Sequence, residues 1–289
     1  MITVQAPAKI NLTLEVLAKR PDGYHEIRSV IQAISLADTL RFELSSGVTF
    51  HSDMSGWRGE ESLVSKAATL LQQATDCSKG AAIEVEKRIP LMAGLGGDSS
   101  DAATVLSGLN RLWELNLPQE KLLELARQLG SDVSFFLYGG TALAEGRGEI
   151  ITSLPPFPRR WLVLVQPPVA PVNGKTARLY QSLNSYHFTD GQITRRLVEA
   201  ITANRFTHQG QGWPFSTAYS FNTFENVAFS IFPGLAAARD HFLKLGADNV
   251  RLAGSGPALF TIAPDKSRAE ELYSLLSKQQ MSPYLAETI

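Results

Sequence analysis

One segment constrains this chain more than any other. Pro90-Leu91-Met92-Ala93-Gly94-Leu95-Gly96-Gly97-Asp98-Ser99-Ser100 runs straight into apolar residues at 102, 105, 106, 109, 112 and 113, which is helical spacing. Ahead of it, residues 81–87 alternate as a strand. Asp98, Ser99 and Ser100 supply N-cap chemistry where the helix begins. Glycines let backbone N–H groups approach an anion closely, and a helix start adds unpaired amides and the positive end of its dipole. Such a loop is a phosphate cradle, or else a flexible glycine-rich turn before a capped helix. No Gly-Lys-Ser/Thr follows, so it is not a Walker A loop. The spacing is also wrong for a dinucleotide fingerprint, and no strand directly abuts the glycines.

The rest of the chain narrows the ligand. Lys and Arg number 27 and Asp and Glu 28, so the net charge of −1 gives no bulk attraction for nucleic acid or an anionic membrane. Any phosphate must be held locally. With 44% hydrophobic and 19% charged residues the chain is rich enough for a buried core. Cys77 is the one cysteine, which excludes an internal disulfide and a cysteine-cluster metal site. His51, His187, His208 and His241 lie far apart without ligand spacing, which argues against protein-held zinc. There is no Gly-x-Ser-x-Gly elbow. The uncharged stretch from Phe206 to Phe224 contains Pro214 and is too polar for a membrane span. No secretory pattern opens the sequence. The expectation is a soluble, cytoplasmic protein handling a small ligand.

Strands are expected at 8–16, 27–36, 39–44, 81–87, 140–145, 161–165, 249–253, 257–262 and near the end. Helices are expected at 61–74, 102–113, 118–129, 175–184, 191–203, 222–231, 234–245 and 266–278. Strands and helices intermix without strict βαβ alternation, so the fold class is α+β. Pro155-Pro-Phe-Pro158 marks the best boundary, giving domains 1–156 and 157–289. On the first strand Ile10, Leu12, Leu14 and Val16 form one face and Lys9 and Asn11 share the other. Taken singly, Lys9 could be a solvated lysine, Asp132 an N-cap, Tyr24-His25 a loop pair, and Gly254-Ser255-Gly256 a turn.

Together, however, Pro7-Ala-Lys-Ile-Asn-Leu12, Arg20-Pro-Asp-Gly-Tyr-His25, Pro90–Ala103, Leu129-Gly-Ser-Asp-Val133 and Leu252-Ala-Gly-Ser-Gly-Pro257 resemble the GHMP kinases in order and spacing. The first two segments resemble the branch that acts on a cytidine-diphosphate-linked methylerythritol. The resemblance implies a two-lobed fold, with an N-terminal nucleotide-binding lobe, a C-terminal ferredoxin-like lobe and the active site in the cleft. It implies transfer of the ATP γ-phosphoryl group, with Mg²⁺ accompanying the nucleotide, to a tertiary C2 hydroxyl. Asp132 matches the family's catalytic base and Lys9 its catalytic lysine, a cation that would stabilise charge during transfer.

The 90–100 loop would wrap the ATP phosphates, and Ser99 and Ser100 could also reach Mg²⁺, whose protein ligands the sequence does not fix. Ser62 and Lys87 fall near the adenine pocket. The family often has Asn where Ser62 stands and glycine where Asp98 stands. A carboxylate at position 98 is repelled by phosphates, so Asp98 is expected to cap the helix. Asn11 would hydrogen-bond the substrate beside Lys9. Tyr24 and His25 match the cytidine site, with Thr176 and Tyr180 opposite and Tyr180 completing a stack around the base. Gly254 and Ser255 would close the far wall. The expected partners are small molecules alone, with no nucleic acid and no membrane, and the chain a monomer or weak homodimer.

Overall fold

The computed structural model describes residues 1–206 and 219–289. His208 and most of the uncharged 206–224 stretch lie outside the described residues. In chain order the elements are β1 (Ile2–Lys19), β2 (His25–Ser45), β3 (Val48–His51), α1 (Leu63–Thr75), β4 (Gly80–Glu86), α2 (Gly97–Leu112), α3 (Gln119–Leu129), α4 (Ser131–Tyr138), β5 (Thr141–Gly146), β6 (Ile150–Ser153) and β7 (Trp161–Val165). There follow α5 (Lys175–Ser182), α6 (Gln192–Thr202), β8 (Phe221–Asn222), α7 (Glu225–Ile231), α8 (Leu235–Lys244), β9 (Arg251–Leu252), β10 (Leu259–Ile262), α9 (Lys266–Lys278) and β11 (Pro283–Glu287). The class is α+β, as expected.

Two compact units interleave along the chain. The first comprises Met1–Ala8, Ala37–Pro90 and Gly96–Gly139, and the second Lys9–Leu36, Leu91–Leu95 and Gly140–Ile289. Strands β1 and β2 are each divided between them. In the first unit the second half of β2 pairs antiparallel with β4, from Thr39↔Glu86 to Ser45↔Gly80, and β3 pairs parallel with β4. Its core holds Phe42, Leu71, Val105, Leu106 and Leu109 around the fully buried Trp113. The indole N–H of Trp113 donates to Gly80 O at 3.2 Å, so burying this large ring leaves no orphan donor.

In the second unit the first half of β2 pairs antiparallel with β5, and β5 with β6. β8 runs parallel to β1 at Thr13↔Phe221. A separate antiparallel sheet has the order β11-β7-β10-β9. Leu179, Phe232, Phe242, Leu252 and Leu276 form this unit's core.

Some expectations change. The strands expected at 27–36 and 39–44 are one, because no Gly or Pro interrupts residues 37 and 38. Helix α7 starts at Glu225 rather than 222, since Phe221–Asn222 pairs as β8. Short edge strands β3 and β6 carry no apolar alternation strong enough to announce them. Helix α4, eight residues long, is too short for its spacing to announce it.

Candidate active site

The second unit carries most of the expected substrate residues. On β1, Lys9 and Asn11 are 4% and 5% exposed, so Lys9 is not the solvated lysine of the alternative reading. Lys9 Nζ donates to Asn11 Oδ1 at 2.8 Å, and Asn11 Nδ2 donates to Ser29 Oγ at 2.8 Å. The Asn11 amide is thereby oriented from behind, and its oxygen holds the lysine head. The backbone N–H of Lys9 donates to Leu95 O at 2.9 Å, tying β1 to the glycine turn.

That turn is shaped by close approach. Gly94 has φ +86°, and a Cβ there would overlap Ala253 O and lie 2.7 Å from Gly256 N. Gly254 reciprocates: its Cβ position lies 2.7 Å from Gly94 O, 3.0 Å from Lys9 Nζ and 3.3 Å from Asn11 Oδ1. Only glycine fits at both positions. The two glycine turns expected to border phosphates therefore meet beside Lys9. Ala258 N donates to Ala93 O at 3.1 Å, and Asn222 Nδ2 donates to Leu252 O and Gly254 O at 2.9 and 2.8 Å. Asn222 has no motif around it to announce this brace.

Thr176 Oγ1 is 3.0 Å from Ser255 Oγ, which brings together two expected substrate residues. Lys175, the residue before Thr176, donates from Nζ to Met92 O at 2.7 Å and also to Gly256 O. Burial lowers its pKa to about 8, and neighbouring Lys9 adds to the effect. Sequence reading missed this residue.

The expected cytidine residues lie on aromatic surfaces. His25 stacks on Tyr180 with ring centroids 4.7 Å apart and planes 17° apart, and Phe188 meets His25 edge-on at 5.9 Å. Phe224 meets Tyr180 edge-on at 4.9 Å. Burial lowers the His25 pKa and the charge of Lys19 lowers it further, so its imidazole is neutral at pH 7. Tyr24 is half exposed, with the Arg147 guanidinium 4.5 Å over its ring. Its backbone N–H donates to Asp22 Oδ1 at 3.1 Å, which sets the loop. One face of Tyr180 thus carries His25, a neighbour the expected base stack did not include.

The first unit carries the helix-start residues. Helix α2 begins at Gly97, and its N-cap is Gly96 in the left-handed conformation at φ +75°, with no side-chain cap bond. Asp98 is exposed in the first turn. It is therefore not the cap expected of it: glycine at 96 lets the chain turn into the helix two residues earlier. The first-turn amides, Gly97, Asp98 and Ser99 among them, have no acceptor within the helix. Ser100 is fully buried and its hydroxyl has no hydrogen-bond partner. Ser62 caps α1, accepting from Val64 N at 3.2 Å and donating to Gly59 O at 2.9 Å. Asp132 sits in the first turn of α4, whose N-cap is Gly130, so it does not serve as the cap.

Lys87 points into the unit rather than outward. Its Nζ lies 2.5 Å from Asp38 Oδ2 and 2.6 Å from Asp101 Oδ2, with all three side chains almost wholly buried. Asp38 Oδ1 also accepts from Arg88 N and Ile89 N at 2.6 and 2.7 Å. The Lys87 head is thus committed to two carboxylates.

Comparison with known proteins gives a consistent picture. Residues 62–140 match the model of the GHMP kinases N terminal domain, and residues 198–281 that of the GHMP kinases C terminal. A 4-diphosphocytidyl-2-C-methyl-D-erythritol kinase of Dehalococcoides mccartyi is 46% identical, covering 100% of this chain and 99% of its own. One of Brevibacillus brevis is 37% identical over 95% of this chain and 92% of its own. A crystal structure of 4-(cytidine 5'-diphospho)-2C-methyl-D-erythritol kinase superposes with TM-score 0.81 at 33% identity, covering 99% of both chains. A homoserine kinase from Cytophaga hutchinsonii shares the fold, with TM-score 0.73 at 17% identity over 100% of this chain and 94% of its own.

Proposed function

The chain belongs to the 4-diphosphocytidyl-2-C-methyl-D-erythritol kinases of the GHMP kinase superfamily, and from that membership we propose how its residues divide the reaction. The enzyme is an ATP-dependent kinase that phosphorylates the C2 hydroxyl of 4-diphosphocytidyl-2-C-methyl-D-erythritol, giving the 2-phosphate and ADP, in the non-mevalonate route to isoprenoid precursors. The observation that carries this is the full-length 46% identity to a kinase of that name.

Phosphoryl transfer is mostly positioning and charge stabilisation, because the transition state is loose and highly anionic. The amides at the start of α2 are suited to the triphosphate, as backbone donors at a positive helix end. Asp132 takes the proton of the attacking hydroxyl and orients it. Lys9, held by Asn11, offsets the charge gathering on the transferred group. Tyr24 and neutral His25 receive the cytosine, one by stacking and one by hydrogen bonding to its edge. The Ser62 hydroxyl and Lys87 ammonium are engaged in capping and in the buried ion cluster, so any role toward adenine falls to their backbone.

Mg²⁺, when bound, neutralises the β- and γ-phosphates. Among the described residues no group of three His, Cys, Asp or Glu side chains could hold a metal, which favours an ion brought in on the nucleotide. The unpartnered, buried Ser100 hydroxyl fits as a protein oxygen for it. Both matched family spans fall inside the domains 1–156 and 157–289, which we retain as proposed boundaries. None of the helices in the described residues is long and apolar enough to cross a membrane, and we place the enzyme in the cytoplasm as a monomer or weak homodimer.

The test is a substrate panel. Purified protein with ATP and Mg²⁺ should convert the cytidyl substrate to a product heavier by one phosphoryl group and leave homoserine and mevalonate untouched. No turnover of the cytidyl substrate, with turnover of either alternative, would refute the assignment.

A further inference from the structure

Lys175 is a partly buried ammonium with no acid among the groups it contacts. It opens α5 and reaches two backbone carbonyls, Met92 O on the 91–95 turn and Gly256 O on the 254–256 turn. Among the described residues it forms no ion pair, although three other cations wholly or partly withdrawn from solvent show what pairing looks like. Lys87 takes two carboxylates, Arg251 takes Glu225 at 3.0 Å, and Arg28 takes Glu145 at 3.0 Å. An ammonium has three donors. Two go to carbonyls, leaving one N–H and the whole positive charge uncompensated by this contact set. Holding such a charge partly out of water costs free energy, and an anion recovers it. The same two turns border Lys9, whose Nζ lies 3.0 Å from the Cβ position of Gly254.

We propose that Lys175 is a second phosphate-binding cation of the active site, gripping a phosphoryl group delivered beside Lys9 while its carbonyl bonds hold the two glycine turns in register. The ligand chemistry is a phosphoryl oxygen, from either the ATP tail or the diphosphate of the acceptor. This rests on the kinase reading above.

The neighbouring groups define the pH behaviour. Charged groups come from Lys9 on β1 and from the exposed Arg178 on α5 itself. The 91–95 and 254–256 turns bring carbonyls and the Ser255 hydroxyl. Burial first, and Lys9 second, bring the Lys175 pKa down to about 8. The unliganded side chain therefore loses its proton as pH rises through 8, and phosphate affinity falls with it.

The test is calorimetric titration of the full-length protein with ATP and, separately, with CDP, at pH 7.0 and 9.0. Wild type and the Lys175→Gln and Lys175→Arg variants are compared. Gln keeps a donor for the carbonyls but has no charge, whereas Arg keeps charge at both pH values. Lys175→Gln should weaken one nucleotide about tenfold at pH 7.0, and Lys175→Arg should stay within about threefold of wild type, on the scale of one charge-assisted hydrogen bond. Wild type should lose affinity for that nucleotide between pH 7.0 and 9.0, and Lys175→Arg should not. Weakening confined to ATP assigns the cation to the triphosphate, and weakening confined to CDP assigns it to the acceptor. Equal affinities for Lys175→Gln and wild type in both titrations would overturn the proposal and leave Lys175 as a strap between turns. Failure of the cytidyl substrate to turn over would strike the kinase reading while leaving these binding constants to be read on their own.

Discussion

The Lys87 cluster sets two carboxylates against one buried ammonium, and the two acids should respond oppositely to neutralisation. Asp38 accepts three short hydrogen bonds, from Lys87 Nζ, Arg88 N and Ile89 N. Asp38→Asn necessarily turns an NH₂ toward one of these donors and removes charge from the better hydrogen-bonded acid of the cluster. Removing one partner of a buried ion pair costs about 3–5 kcal/mol. Asp101 differs. One oxygen binds Lys87 at 2.6 Å, while its Oδ1 is buried without a partner. Burial raises its pKa from 3.8 to about 7, Lys87 opposes this, and Asp38 adds to it. A folded-state pKa raised above the unfolded value means stability fully present below about pH 4 and lost as pH rises through about 7.

The interval from 3.8 to about 7, at ~1.4 kcal/mol per pH unit, puts that loss at roughly 4 kcal/mol. Asp101→Asn escapes it but buries an amide N–H₂ lacking an acceptor, at about 1–3 kcal/mol. Asp101→Asn should therefore melt below wild type near pH 4, gain on it steadily as pH rises, and melt above it at pH 8, whereas Asp38→Asn melts well below wild type throughout. At about 2–4 °C per kcal/mol, the Asp38→Asn deficit is about 6–20 °C and the Asp101→Asn crossover spans several degrees. Differential scanning calorimetry from pH 4 to 8 reads both. A constant deficit for Asp101→Asn across that range, equal to that of Asp38→Asn, would refute the reasoning.

Asp132→Asn should lower kcat by about 10²–10⁴-fold while leaving ATP affinity nearly unchanged, because a base acts mainly in the transition state; steady-state kinetics with ATP titration checks it, and retained kcat would sink the assignment. Tyr24→Ala should raise KM for the cytidyl substrate about 5–150-fold, from ~1–3 kcal/mol of stacking, with little change in KM for ATP. Equal effects on both substrates would speak against stacking. Gly94→Ala places a Cβ against Ala253 O at φ +86°, so it should cost at least about 2 kcal/mol and displace the turn. A melting curve and activity indistinguishable from wild type would show that the turn tolerates a side chain.

Local pattern carried much of this structure. Alternation at Ile10, Leu12, Leu14 and Val16 marked β1 and put Lys9 and Asn11 on one face, where they hydrogen-bond. Helical spacing marked α1, α3 and α9 to within a residue or two. The helix after the glycine loop was also legible, but its start was not. Asp98, Ser99 and Ser100 are all good cap types, and choosing among them ignored that Gly96 adopts the left-handed conformation more easily than any of them can turn the chain. Brevity hid β3 and β6, since a four-residue edge strand has no room for a period.

Three lysines show where a sequence stops being legible in principle. Lys9, Lys87 and Lys175 are the same residue type, and each precedes or follows a recognisable motif. Their fates differ because of partners distant along the chain. The acids at Lys87 come from 49 and 14 residues away, and the carbonyls at Lys175 from 83 and 81. A carboxylate partner can at least be suspected from composition. A backbone carbonyl cannot, because every residue has one and only the fold decides which is aimed inward. That asymmetry explains why Lys87 drew a nucleotide role from its position beside the loop while Lys175 drew none. It also makes the ammonium bound only to carbonyls the more informative of the two. A lysine neutralised by acids has its electrostatic demand met within the protein, whereas one held by neutral dipoles keeps its charge available to whatever anion the site receives.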